Sequence, residues 1–272
     1  MRRRLDGTAA LWAYSAALLV FLYLPLLPPL LLSLEPGGGP AGPQGPTLQW
    51  YRRMWEQPLL TASLGTSASA AAIVGLAAPL LGLLAAQAVR SFRARRAIVL
   101  VMVLPLFLPA VTMGLSTAFF LRLLGIEPSL LTIVLVHLVW ALPFAFLIVL
   151  ASMAGFSPRY LEAAYTCGAG PWRAFRDVEL PLILPGLLGA ALFSAILSFN
   201  ETIRTTMVQG PLNTVQTYIW STVLQIGLSP QLYALMGFLV LTTLLLVAVL
   251  IALALRRGRE GKGGGPIGAS VR

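Results

Sequence analysis

Charge is what this sequence is short of. Only 10% of its 272 residues are Asp, Glu, Lys or Arg, where a water-soluble domain carries about a quarter. With 58% hydrophobic residues, that shortage excludes a soluble globular chain and leaves an integral membrane protein. The apolar runs are long and continuous rather than alternating, which selects helices over a barrel. Cysteine is nearly absent too: a single Cys167 excludes an internal disulfide and says little about redox compartment. There is no Walker A phosphate loop, no nucleophile beside a base and no cluster of metal-ligand residues. The sequence therefore predicts no catalytic residue, no metal site and no cofactor held by this chain. The net charge of +10 could suggest nucleic acid, but in a membrane protein it reports orientation.

What the chain does have is apolar runs of spanning length, which needs about 20 residues. About six are legible, at 9–34, 59–89, 97–124, 130–153, 182–199 and 232–255, the fifth being the shortest. The fold class expected is an all-α membrane protein with one transmembrane domain over 1–257 and a Gly-rich, disordered tail over 258–272. The basic start resembles a signal peptide, but its apolar run is too long and lacks a clear cleavage site, so it reads as a retained first span. With both termini in the cytoplasm, every Lys and Arg except Arg52, Arg53, Arg122 and Arg204 falls on the inside, as the positive-inside rule requires. Between the first two spans, Trp50, Tyr51 and Trp55 beside Arg52 and Arg53 form a short interfacial helix. Ala78, Gly82 and Ala86, four apart, form a small-residue row for close helix packing. Pro25, Pro28 and Pro29, and Pro105 with Pro109, should kink the first and third spans. Arg122 snorkels to the outer interface, and Cys167 reads as a small packing residue. His137, in the fourth span, is either a hydrogen-bonded core residue or part of a proton relay.

One polar stretch, about 157–181, is too structured for a slack loop. Ser157 is suited to an N-cap and Pro158 to a first helical position. A helix then runs to Gly168, which can end it in the left-handed conformation. Pro171 restarts a second helix, with Trp172, Phe175 and Val178 or Glu179 on an apolar face. Pro181 and Pro185 then turn the chain back into the membrane. The expected product is a helix–turn–helix on the cytoplasmic surface, able to dock a cytosolic partner.

"EAAYTCGAGPWRAFRDVELPLILPG" resembles the EAA signature of ABC importer permease subunits. The resemblance lies in Glu162-Ala163-Ala164, in Gly168 four residues on, and in Leu180-Pro181 through Pro185. It extends over most of the chain through the six-span layout and implies a type I ABC importer permease fold. It further implies that this segment is the coupling helix seated in a cytosolic ATPase, with Glu162, Ala163, Ala164, Gly168, Pro171, Arg173, Leu180 and Pro181 at or near the contact. ATP and Mg2+ are then expected in the partner ATPase dimer. An extracytoplasmic binding protein delivers the solute, and a second permease subunit, in a heterodimer, completes the pathway in a bacterial inner membrane.

Polar groups near the membrane are few, so each is informative. The segment from Asn200 through "GLSP" most resembles the spermidine/putrescine branch, in which an acidic pair stands at the positions of Asn200 and Glu201. The resemblance implies a polyamine pathway with Asn200, Glu201, Arg204, Tyr218 and Trp220 as candidate residues, a carboxylate for ammonium groups and aromatics for methylenes and cation–π contact. This sequence departs from the pattern in carrying Asn200, and in Arg204 three residues after Glu201, which can neutralise it internally. A phosphonate, an organic acid or a metal chelate are the alternative solutes. An ion-coupled carrier without an ATPase is the competing class, and it would place its ionisable relays near the midplane.

Overall fold

The computed structural model describes residues 2–36 and 45–260. Residues 37–44, in the Gly/Pro-rich linker, and 261–272, in the expected tail, lie outside the described residues. All regular structure among the described residues is helical. Helix α1 (Arg2–Tyr23) passes through a 3-10 turn at Leu24–Leu26 into α2 (Leu27–Leu32). Pro25, Pro28 and Pro29 sit in the first turns of those pieces, where a missing N–H costs little. They tighten the helix without breaking its apolar run, Thr8–Leu32. The aromatic segment expected at the interface is helical, α3 (Gln49–Trp55), and α4 (Pro58–Ser91) is long and apolar enough for the expected second span.

The third expected span is not one helix. α5 (Arg95–Val103) continues through a 3-10 turn, Leu104–Phe107, and breaks before α6 (Ala110–Leu123), with a bend of 106°. The expected proline kink is therefore a full break. Proline disfavours the helical region for the residue before it, and Leu108, before Pro109, is extended at φ −86°, ψ 131°. α7 (Leu130–Ala154) starts at a capping box formed by Ser129 and Thr132. Next come α8 (Arg159–Thr166) and α9 (Pro171–Ala174), then a π-helical turn at Phe175–Glu179 and α10 (Leu180–Phe199). From Pro171 to Phe199 the helix is continuous, which corrects the expectation of a separate second surface helix and a fifth span starting at 182. α11 (Ile203–Val208), α12 (Val215–Gln225) and α13 (Pro230–Glu260) complete the chain.

Four helices among the described residues are long and apolar enough to cross a membrane, and five if the bent pair is one span. The sixth expected span lies in α13, of which Pro230–Leu245 is a shorter apolar stretch among the described residues.

The described residues fall into two compact units, one of residues 1–57 and 226–272 and the other of 58–225. In the first, α3 packs on α13: Met54 is buried, Trp55 meets Phe238 edge-on at 5.3 Å, and Tyr51 Oη lies 2.8 Å from Ser33 Oγ. In the second, α4, α7 and α10 pack together around Val74, Ala78, Val136, Phe146 and Ile183. Ala78, Gly82 and Ala86 face this core as the small-residue row predicts. A Cβ on Gly82 would stand 2.9 Å from the backbone nitrogen of Phe146, so only glycine permits this approach of α4 to α7.

Candidate functional site

The docking segment is built around the end of α8. Gly168 is left-handed at φ +81°. Its N–H donates to the Tyr165 carbonyl at 2.9 Å, and the Ala169 N–H reaches the Ala164 carbonyl at 3.0 Å. This pair of bonds is the Schellman closure, which satisfies carbonyls the helix would otherwise leave open. The helix begins one residue later than the Ser157 N-cap reading, with Pro158 in the cap position and no side-chain cap. Glu162, Ala163, Gly168, Pro171, Arg173 and Pro181 are exposed, while Ala164 and Leu180 are half-buried. A Cβ on Gly168 would meet nothing within 4 Å, so inside this chain the glycine is required by its φ alone. Cys167 is exposed rather than packed.

Beneath this surface lies a network centred on Glu179, which the sequence placed only as a possible member of an apolar face. The carboxylate is 2% exposed and closes the π-helical turn. Arg90 Nη1 stands 2.8 Å from Glu179 Oε1, and Nη2 donates to Oε2 at 2.9 Å. Gln87 Nε2 donates to Oε1 at 2.9 Å and Gln87 Oε1 accepts from Arg90 Nη2 at 2.8 Å. The end of α4 and the 157–181 segment therefore share one end of the unit. A groove of about 340 Å³ between them is lined by Leu161, Tyr165, Trp172 and Phe175 together with Gln87, Arg90 and Glu179.

A second polar cluster lies where α6, α7, α10 and α11 meet. Arg204 Nη1 stands 2.7 Å from Glu201 Oε2, and the Arg204 backbone N–H donates to Oε1 at 3.0 Å. The guanidinium lies over the Trp140 ring at 3.9 Å and its Nε points to Met113 Sδ at 3.1 Å. Both charged residues are buried, at 7% and 6% exposure. His137, fully buried, has both ring nitrogens engaged, Nδ1 with Ser198 Oγ and Nε2 with Thr205 Oγ1, each at 2.8 Å. The geometry is that of a packed, hydrogen-bonded core histidine. Gly114 is what lets α6 approach: its Cβ would stand 3.1 Å from Arg204 Cα.

Residues 78–260 match the family described as the binding-protein-dependent transport system inner membrane component. The chain belongs to this family. It is an ABC importer permease subunit, a transport component without catalytic activity of its own. The spermidine/putrescine transport system permease protein PotC of Escherichia coli (strain K12) is 27% identical to it over 252 residues, covering 91% of this chain and 96% of the relative. The putrescine transport system permease protein PotI of the same strain is 26% identical over 239 residues, covering 84% and 83%. A putative ABC transporter permease protein, ORF1 of Streptomyces antibioticus, is 36% identical over 173 residues, covering 58% and 70%. A crystal structure of a bacterial ABC transporter involved in the import of alginate superposes with a TM-score of 0.67 at 16% identity, covering 93% of this chain and 96% of the other. At that identity the likeness is one of fold.

In the permease, the sequence-singled residues form two groups. Glu162, Ala163, Ala164, Gly168, Pro171 and Arg173 come together on α8 and the start of α9, with Leu180 and Pro181 a turn or more further along. Glu201 and Arg204 close on each other. Asn200 is exposed, its Nδ2 bonded to the Ile196 carbonyl at 2.9 Å. Tyr218 and Trp220 lie on α12, whose polar link to this region is Gln216 Nε2 to Asn200 Oδ1 at 3.4 Å. Trp220 is 55% exposed.

Proposed function

We propose that this permease forms half of the pathway for a polyamine, paired with a second, non-identical permease subunit. A cytosolic ATPase dimer binds the 157–181 segment, holds ATP and Mg2+, and drives alternating access by preferring one permease conformation over the other. The observation that carries the coupling half of this reading is the α8 surface. Glu162 and Arg173 stand exposed on either side of the Schellman turn that closes α8, and the helix that follows from Pro171 runs unbroken to Phe199. The basic turn at Arg90–Arg96 shares that end through the Arg90–Glu179 contact, which supports a cytoplasmic assignment for both, with an extracytoplasmic binding protein at the opposite end of this unit. The polyamine half rests on the resemblance to PotC and PotI over most of the chain.

A second solute reading has its own observation. Both Glu201 oxygens are already engaged by Arg204, so this cluster offers no free carboxylate to a polycation. A phosphonate, an organic acid or a metal chelate would then be the cargo, with selection in the binding protein. The deciding experiment is a mild-detergent pull-down of the tagged chain with partners identified by mass spectrometry. Recovery of an ATPase and a second permease subunit is the expected result, and the co-purified binding protein is then titrated with spermidine, putrescine and phosphonates. Recovery of the chain alone, where a known importer stays intact, would overturn the proposed docking of an ATPase on the 157–181 segment.

A further inference from the structure

We propose that Glu179, Arg90 and Gln87 form the link through which movement of the docking segment reaches the helical core. The proposal rests on the docking reading above and assigns positioning roles to residues other than those that carry the motif resemblance.

Three observations converge on it. The first is position. Glu179 ends the π-helical turn that joins α9 to α10, α8 packs against that turn, and Arg90 and Gln87 lie in the last turn of α4. A push on α8 thus meets α4 through this contact. α4 is in turn locked to its neighbours, to α7 at Gly82 and to α10 at Gly75, where a Cβ would stand 3.0 Å from that of Ala195. Displacement of its end therefore moves a packed body rather than a loose helix.

The second is chemistry. Arg90 meets the carboxylate with both terminal nitrogens, a two-pronged geometry that fixes direction as well as distance. Gln87 bonds both partners, so the triangle closes on itself. Glu179 is 2% exposed on a face where one turn further Ile183 is buried at 1%. An apolar side chain would fill such a place without desolvating a charge. The carboxylate thus stands on a face that packing alone would make apolar, which fits a contact that fixes geometry.

The third is the turn itself. The Leu180 N–H reaches back to the Phe175 carbonyl, the five-residue spacing of a π-helix, and such single turns recur at functional sites. The turn carries one residue more than an α-helical turn between the docking surface and α10, and the clamp holds this wider turn against α4.

The test uses the purified complex of permease, ATPase and binding protein, and reads two quantities. These are the amount of ATPase retained in the pull-down and the factor by which solute-loaded binding protein stimulates ATP hydrolysis. Glu179→Gln and Arg90→Gln should retain the ATPase at wild-type stoichiometry but lose stimulation about fivefold or more. Arg90→Lys keeps the charge without the fork and should fall between. The exchanged pair Arg90→Glu with Glu179→Arg should recover stimulation relative to either single variant. Should the Gln variants fail to accumulate in the membrane, the Lys and exchanged variants, which keep an ion pair at this place, decide the matter. Wild-type stimulation in both Gln variants would overturn the link. Loss of the ATPase from their complexes would also overturn it, because the clamp would then merely shape the docking surface. A wild-type chain that captures no ATPase would instead refute the docking reading, and the link with it.

Discussion

Glu201→Gln removes one charge from a closed, buried pair while keeping the side chain's shape. At 2.7 Å and an effective dielectric of about 20, the direct attraction is roughly 6 kcal/mol. Desolvation of both ions works against it, and breaking such a pair from one side costs about 3–5 kcal/mol. The lower end applies here. Arg204 keeps the Trp140 face at 3.9 Å, worth about 1–2 kcal/mol when desolvated, and Gln still offers an acceptor to the Arg204 backbone N–H. A loss of about 3 kcal/mol corresponds to a fall in Tm of about 6–12 °C for a chain of this size. Replacing both members, Glu201→Leu with Arg204→Met, should come within about 1–2 kcal/mol of wild type, since no uncompensated charge remains. Thermal unfolding of wild type, Glu201→Leu, Arg204→Met and the double variant in one detergent gives the coupling energy directly. A Glu201→Gln variant that melts within about 1 °C of wild type would refute the closed pair. Uptake of labelled spermidine, measured in parallel, should weaken more in Glu201→Gln than in Asn200→Ala. Unchanged uptake would mean that Glu201 only balances Arg204.

Gly168 separates conformation from docking. Gly168→Ala should destabilise the isolated chain by about 1–2 kcal/mol, the usual cost of left-handed backbone for a residue with a Cβ. Gly168→Trp should cost little more, because nothing lies within 4 Å of the Cβ. The two should diverge in the pull-down, where only Trp abolishes ATPase recovery and solute uptake; normal transport in the Trp variant would sink the docking assignment. Gly82→Leu should lower the melting temperature sharply, since its side chain has no room against the backbone of Phe146, and overpacking of this kind costs about 1–3 kcal/mol or more. A wild-type melting curve would show that α4 and α7 approach less closely than described.

The parts of this fold legible in the sequence were those fixed by local chemistry. The glycine-terminated α8, the small-residue face of α4 and the short aromatic helix α3 each follow from neighbouring residues. Proline was less legible, because its effect depends on surroundings that lie elsewhere in the chain. Pro79 and Pro143 sit inside continuous helices, Pro109 marks a break, and Pro181 was read as a boundary where the helix runs on. The missing Pro181 N–H falls just after a turn already shifted to five-residue spacing, which sequence spacing does not announce. The polar clusters were half legible. Glu201 and Arg204 are three residues apart and could be paired on a helix face. Glu179 and Arg90 lie far apart in sequence, as do His137 and its partners Ser198 and Thr205, and only tertiary packing brings them together.

The break before Pro109 has a consequence for the company this chain must keep. Around Leu108 the helical ladder stops and restarts, leaving carbonyls without the partners that a continuous helix supplies. Phe107 and Leu108 are exposed, at 78% and 44%, so their side chains are left uncovered by the other described residues. Hydrocarbon cannot hydrate or bond such groups, and irregular backbone at membrane depth survives only against protein or water. A solitary copy in a bilayer would leave this seam facing lipid; an assembled pair, or a wet passage along the seam, would not.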